Sequence, residues 1–226
     1  MDDQSGQSRL QICNNSISLI YLIAKDIPGN YVQARGWLLN SAARNDNDAW
    51  NALGVIYSQG LDVEVDGAEA VKDFRKAADA GFEMAQYNLG YMYYVGKLVP
   101  RDYTETARQF KLAADQGHVR AGYSLGMMYR DGQGVPQNTD EALRIFQQLA
   151  ERHHLAAAQH NLGAIYYLGK EVPKDFVLAY MWVSLAADAG LEASKNLLST
   201  LIKEMTVEQI REAKQKVQEW TRTHAG

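Results

Sequence analysis

A Leu-Gly dipeptide recurs at Leu53-Gly54, Leu89-Gly90, Leu125-Gly126 and Leu162-Gly163, at spacings of 36, 36 and 37 residues. Self-similarity at this period marks a chain built of small units, none of which can bury its apolar face alone, so the units must stack on their neighbours. The columns around the dipeptide repeat with it. An alanine stands five positions before each glycine (Ala49, Ala85, Ala121, Ala158), a tyrosine three after it (Tyr57, Tyr93, Tyr129, Tyr166) and a second glycine six after it (Gly60, Gly96, Gly132, Gly169).

Each unit reads as two helices. Alanine, leucine and tyrosine four apart share one face of a first helix. The second glycine closes that helix, because glycine adopts the left-handed backbone of a helix end at little cost. A valine follows (Val63, Val99, Val135, Val172), then a proline in the last three units (Pro100, Pro136, Pro173), then Asp66, Asp102, Asn138 or Asp175. These acids and the amide predict N-caps of a second helix. That helix carries Phe74, Phe110 and Phe146, with Val183 beside Trp182 in the last unit, then the pairs Ala77-Ala78, Ala113-Ala114, Leu149-Ala150 and Ala186-Ala187. The Leu-Gly glycine falls mid-helix, where it costs roughly 0.8–1.0 kcal/mol against alanine. Close approach of the second helix is the expected reason.

The frame extends in both directions. Moved back by one unit it aligns Ser18 with Gly54, Tyr21 with Tyr57, Pro28 with the proline column, Ala34 with Ala70 and Ala42 with Ala78. Moved forward it places Leu198, Ser199 and Ile202 at the leucine, glycine and tyrosine positions. Thr206 to Gln209 spells a capping box, and Val207, Ile210, Ala213, Val217 and Trp220 then form one apolar stripe of a terminal helix. The expected organisation is residues 1–8 as a disordered N-terminus, 9–48 as a degenerate repeat, repeats at 49–84, 85–120, 121–157 and 158–193, a half repeat at 194–204 and a capping helix at 205–226, all in one domain.

The pattern Ala-x3-Leu-Gly-x2-Tyr-x2-Gly-x-Gly-Val-x2-Asp is met most fully from Ala121 to Asn138, with Asn in place of the final Asp. It resembles the Sel-1-like repeat, a relative of the tetratricopeptide repeat, over about 190 residues from Cys13 to about Lys203. The resemblance implies an all-α fold, a right-handed α-solenoid of antiparallel helix pairs with a C-terminal capping helix. It also implies a bacterial, non-catalytic adaptor whose first helices line a concave groove.

Composition narrows the function. With 23 Lys and Arg against 27 Asp and Glu, the formal charge is -4, which disfavours a general affinity for nucleic acid or anionic membrane. The most apolar stretch, Ile17 to Ala24, is far short of the roughly 20 residues that span a bilayer, so membrane insertion is not expected. The first residues carry Asp2 and Asp3 where a signal peptide carries positive charge. The chain therefore reads as soluble and cytoplasmic, or periplasmic if a cleaved signal precedes it. The lone Cys13 permits no intrachain disulfide.

No catalytic, metal or cofactor site is expected. Gly122-Tyr123-Ser124-Leu125-Gly126 matches G-x-S-x-G, but that motif needs a strand-to-helix turn, and here it lies within a first helix. Some bacterial relatives have been linked to penicillin binding, yet no serine here has lysine three residues on. His154 and His160 lack a metal-ligand pattern, and Arg130 to Gly134 lacks the acidic ligands of a calcium loop.

A candidate site remains on the side of the first helices away from the Ala-Leu-Tyr stripe. It comprises Asn51, then Tyr87, Tyr91 and Tyr94, then Tyr123, Met127 and Arg130, then His160 and Tyr167. Tyrosine and arginine are enriched at binding hot spots. Two readings stand for these residues: a groove that holds a protein or peptide, or side chains that pack sideways on neighbouring first helices. The first makes the chain an adaptor, or an immunity protein that blocks a bacterial toxin. The second leaves a structural or oligomerising unit that uses its outer face.

Overall fold

The computed structural model describes residues 30–61 and 63–224. Among them are eleven helices and no strand: α1 (Asn30–Ala42), α2 (Asn47–Gln59), α3 (Gly67–Asp79), α4 (Glu83–Val95), α5 (Tyr103–Asp115), α6 (Val119–Asp131), α7 (Thr139–His153), α8 (Ala156–Leu168), α9 (Phe176–Asp188), α10 (Glu192–Glu204) and α11 (Val207–His224). Residues 1–8 and the matches proposed for Ser18, Tyr21 and Pro28 lie outside the described residues.

The helix boundaries follow from the repeated loop. Asp66, Asp102, Asn138 and Asp175 each cap a second helix, their side chains accepting from backbone N–H groups of its first turn. The backbone N–H of each cap also donates to the carbonyl of the preceding tyrosine: Tyr57, Tyr93, Tyr129 and Tyr166, at 2.9 to 3.1 Å. Each loop is thereby pinned at its capping end to the helix it leaves. Gly96 and Gly169 show why the second glycine recurs. Both have a positive φ, and a Cβ on either would run into Arg101 or Lys174 of the returning loop.

Packing divides the chain into two compact units between His118 and Val119. In the first unit α1 to α5 pack each on the next. In the second, α6 to α10 do so, and α11 lies against α9.

The repeat glycine has the packing role its position predicted. Gly54, Gly90 and Gly126 are buried. A Cβ there would come within 2.6, 2.8 and 2.7 Å of the rings of Phe74, Phe110 and Phe146. The glycine is the seat for the second-helix phenylalanine, so the two columns form one contact. At Gly163 the partner is Val183, and the Ala179 carbonyl also stands 2.9 Å from where a Cβ would be. Losing the ring lets the two backbones draw together.

The core stripe differs from the expected one. Ala85 and Leu89 are fully buried as expected, but the third member is Met92, while Tyr93 is half-buried. Ile56, Met128 and Ile165 take the same place in the other first helices, and Leu201 does so in α10. An α-helix turns 100° per residue, so a stripe on positions i, i+4 and i+7 lies nearer the face centre than one on i, i+4 and i+8. The tyrosine is left at the margin, with its hydroxyl still in reach of polar groups: Arg75 donates to Tyr93 Oη at 2.9 Å.

The terminal helix begins with the expected capping box. The Thr206 N–H donates to Gln209 Oε1 (2.9 Å) and the Gln209 N–H to Thr206 Oγ1 (3.2 Å). Ala213 is fully buried, but Val207, expected in the apolar stripe, is 77% exposed. It sits at the first helical position, before the helix reaches α9. Trp220 meets Trp182 edge-on at 6.1 Å, His154 edge-on at 5.3 Å and His224 face-on at 4.4 Å. The residue beside Val183 therefore serves the cap.

Candidate functional site

The nine candidate residues lie on first helices and divide between the two units. In the first unit Asn51 (α2) is half-buried and its Oδ1 accepts from Asn88 Nδ2 at 2.8 Å. Tyr87 (α4) is also half-buried, stacked on Phe110 at 5.6 Å and on His118 at 4.4 Å. Tyr91 and Tyr94 stand out, at 52% and 41% exposed. Tyr91 touches Tyr87 at 6.3 Å, and Tyr94 leans on Tyr103 of α5 at 5.9 Å. Met84 and Val95 of the same helix are exposed as well.

The second unit treats the same columns differently. Tyr123 (α6) packs on Phe146, and its hydroxyl accepts from Asn161 Nδ2 at 3.1 Å. Arg130 donates to Asn161 Oδ1 at 2.6 Å and grips both oxygens of Asp131. Met127 lies half-buried between them in sequence. His160 (α8) meets Ser194 Oγ of α10 at 2.8 Å, and burial together with the Arg130 charge holds its imidazole below the usual histidine range. Tyr167 donates to Glu204 of α10 at 2.7 Å, which pushes its hydroxyl above the usual tyrosine range. Residues one repeat apart thus lace the first helices of this unit together.

The residues set aside as non-catalytic sit in helical or turn structure. Ser124 is inside α6, half-buried, and Gly126 of its motif seats Phe146. Asp131 is bonded by Arg130, and Gly132 and Gly134 take positive φ in the turn that follows. Among the described residues no group of three or more His, Cys, Asp or Glu could hold a metal ion. None of their helices is long and apolar enough to cross a membrane.

The family model described as Sel1 repeat matches residues 15–46, 48–82, 83–118, 119–154 and 156–191, most of the chain. The chain belongs to the Sel1 repeat family. The helices of the described residues, paired in sequence and with no strand among them, fit its α-solenoid class. Sel1 repeat proteins are in general protein-interaction scaffolds, and the family is typically non-catalytic. The search of curated proteins found no match. Among solved structures, this Sel1 repeat protein is similar to one from Oxalobacter formigenes, with a TM-score of 0.74 and 26% identity over 91% of this chain and 82% of that one. A protective antigen of uropathogenic Escherichia coli displaying an SLR fold shares the fold at a TM-score of 0.54 and 23% identity, over 95% of this chain and 54% of that one. A Sel1 repeat protein of Klebsiella pneumoniae does so at 0.53 and 18%, over 88% and 96%.

Sequence reasoning missed two features of this face. One is the lacing of the second unit. Its only trace in sequence is that Asn161 and Ser194 stand one repeat from partners of matching chemistry. The other is the pairing of Arg101 with Tyr103, which flank the Asp102 cap. A cation before the cap and an aromatic after it recur at Lys174 and Phe176, and that recurrence was the available signal.

Proposed function

We propose that this chain is a scaffold that holds a protein or peptide partner on its first-helix face, with the main anchor on Tyr91 and Tyr94 of α4. One observation supports this reading above others. The tyrosines of the second unit, Tyr123 and Tyr167, have hydrogen-bond partners within the chain, whereas Tyr91 and Tyr94 are large, amphipathic and exposed. Exposed tyrosine offers rigid contact area and a directed hydroxyl, and it loses little conformational freedom on binding. Tyr87 backs this pair by packing on Phe110 and His118, which holds the surface rigid. Asn51 in the first unit, and Tyr123, Met127, Arg130, His160 and Tyr167 in the second, serve mainly to fix the first helices of their own unit.

The test is affinity capture with the wild-type chain and with a variant carrying Tyr91→Ala and Tyr94→Ala, followed by titration of each captured protein. A genuine partner binds the wild type and loses at least about thirtyfold on the double variant, while the helical circular dichroism is unchanged. Partners that bind both forms equally and are lost on outer-face variants would move the site to the second helices and defeat the proposal. An adaptor and a toxin-blocking immunity protein differ only in the identity of that partner, and a toxin gene beside this one would assign the latter.

A further inference from the structure

Three positions of the repeat frame the loop that leaves each first helix: the residue four after the repeat glycine, the residue before the cap and the residue after it. In two repeats they are Ser58, Val65 and Gly67, or Arg130, Gln137 and Thr139. In the other two they make an aromatic, a cation and a second aromatic: Tyr94, Arg101 and Tyr103 in the first unit, and Tyr167, Lys174 and Phe176 in the second.

The two constellations are built alike. Tyr167 leans on Phe176 at 6.3 Å and 58°, and Tyr94 leans on Tyr103 at 5.9 Å and the same 58°. Lys174 Nζ lies 4.9 Å from the Tyr167 ring and 4.8 Å from Phe176, and the Arg101 guanidinium lies 5.5 Å from Tyr103. Gly169 and Gly96 let the returning loop sit close enough to deliver each cation.

They differ in one respect. In the second unit a carboxylate is already in place, since Tyr167 Oη donates to Glu204 Oε1 at 2.7 Å. In the first unit the Tyr94 hydroxyl has no hydrogen bond among the described residues. Arg101 reaches only the Val95 carbonyl, at 3.2 Å. Neither Arg101 nor the exposed Lys97, four residues before it, has an ion pair among the described residues. One repeat after Tyr94, the position of Glu204 is held by Asp131, both of whose oxygens bond Arg130.

The geometry points to Tyr94, Arg101 and Tyr103 as a receptor for a carboxylate carried by the partner, an aspartate or glutamate on an acidic, partly apolar peptide segment. This rests on the binding-face reading above and adds the chemistry of what binds. Glu204 at Tyr167 is the in-chain precedent. The guanidinium supplies the charge and planar donor fork suited to a carboxylate, with Lys97 as a second cation. Tyr94 supplies a neutral donor, and Tyr91 one turn earlier supplies apolar contact for the flanking residue. In a chain of formal charge -4 the loop from Gly96 to Asp102 carries two cations, Lys97 and Arg101, against one acid, Asp102, which is engaged as a helix cap, and this favours an acidic partner over a neutral one.

The probes are the peptide acetyl-Leu-Glu-Phe-Glu-Leu-Glu-amide, its glutamine counterpart and single-stranded oligothymidylate, titrated while the tyrosine-ring and arginine Nε–Hε resonances are followed by NMR. The glutamate peptide should shift Tyr91, Tyr94 and Arg101, bind about tenfold more tightly than the glutamine peptide and weaken with added salt. Arg101→Gln should abolish the difference between the two peptides with the helical signal intact. Glu204→Gln should open a second site for the glutamate peptide at Tyr167 and Lys174. Equal affinity of the two peptides at Tyr91 and Tyr94 would overturn the carboxylate assignment and leave the binding face standing. Peptide binding that leaves both tyrosines unshifted would overturn both, and failure of every probe to bind would overturn the carboxylate receptor. A preference for oligothymidylate would reassign the site to phosphate, and a concentration-dependent shift of the protein alone, lost in Arg101→Gln, would reassign it to a second copy of the chain.

Discussion

The repeats at 83–118 and 156–191 follow one register and reach different results on both sides of the first helix. Behind α4, Gly90 seats a phenylalanine ring; behind α8, Gly163 seats a valine with the α9 backbone close by. In front, Tyr94 is open to solvent, whereas Tyr167 is bonded to Glu204. The pair teaches that a repeat position sets where a side chain points, while its role depends on what the neighbouring helix offers there.

The largest expected effect tests the back of this comparison. Gly163→Ala should lose roughly 1–3 kcal/mol through overpacking, because its Cβ meets the Ala179 carbonyl and the Val183 backbone nitrogen, which cannot rotate aside. Gly90→Ala should lose less, since it meets mainly the Phe110 ring, and the gain in helix propensity offsets part of the cost. Denaturant unfolding of both variants decides it, and equal losses would mean that the closer backbone approach has no energetic consequence.

The front of the comparison comes next. Replacing Tyr91 and Tyr94 together by alanine should weaken partner binding by at least about 2 kcal/mol. Lys72→Ala with Lys111→Ala, on exposed second-helix positions, should change it by less than about 0.5 kcal/mol. Titration calorimetry on one partner reads both. An effect that follows the lysines instead would erase the functional distinction between the faces.

A third test uses the residue just before the second-helix phenylalanine. That column is buried in the last four repeats but holds Asp73 and Gln109 in the first unit, and Ile145 and Trp182 in the second. Asp73 is only 3% exposed, and burial pushes its carboxyl up to about 6. A folded-state value above the unfolded one means that the native state binds the extra proton. Stability from this group is therefore full below pH about 4 and lost as pH rises through about 6. Asp73→Asn should remove that pH dependence, about 3 kcal/mol in total, when unfolding is followed between pH 4 and 7.5. Glu105 acts in the opposite sense. Hydrogen bonds from Arg108 hold it at about 2, so its contribution is present above the ordinary glutamate range and lost as pH falls toward 2. Hydrogen exchange should place the Asp73 slope in α3 and its neighbours, and the same slope in α7 or α9 would break the assignment.

The smallest effect is the most specific. Tyr167→Phe removes the bond to Glu204 and should lower stability only slightly, because water replaces that bond readily at the surface. Tyr94→Phe removes no hydrogen bond to the described residues and should leave stability unchanged while weakening the glutamate peptide. Thermal unfolding of the two variants side by side checks the sign.

The fold was legible because its determinants are local or periodic. Caps such as Asp102 and Asp175 act within three residues, left-handed glycines close helices where they stand, and a fixed spacing places Gly90 and Phe110 on facing surfaces in every copy. Choosing Tyr93 over Met92 for the deepest core position was an error of one residue, because both are apolar enough to be buried and helical spacing alone separates them poorly.

The sequence by itself determined which residues form the first and second helices and which columns face inward, since backbone hydrogen bonding and 3.6-residue periodicity depend on near neighbours. Only the tertiary structure decided which tyrosines are occupied. Tyr94 and Tyr167 are the same residue at the same register, and each has a carboxylate 37 positions on, but Glu204 accepts from Tyr167 whereas Asp131 is bonded by Arg130. A hydrogen bond needs a partner within about 3 Å, and a column of letters does not say which side chains come that close.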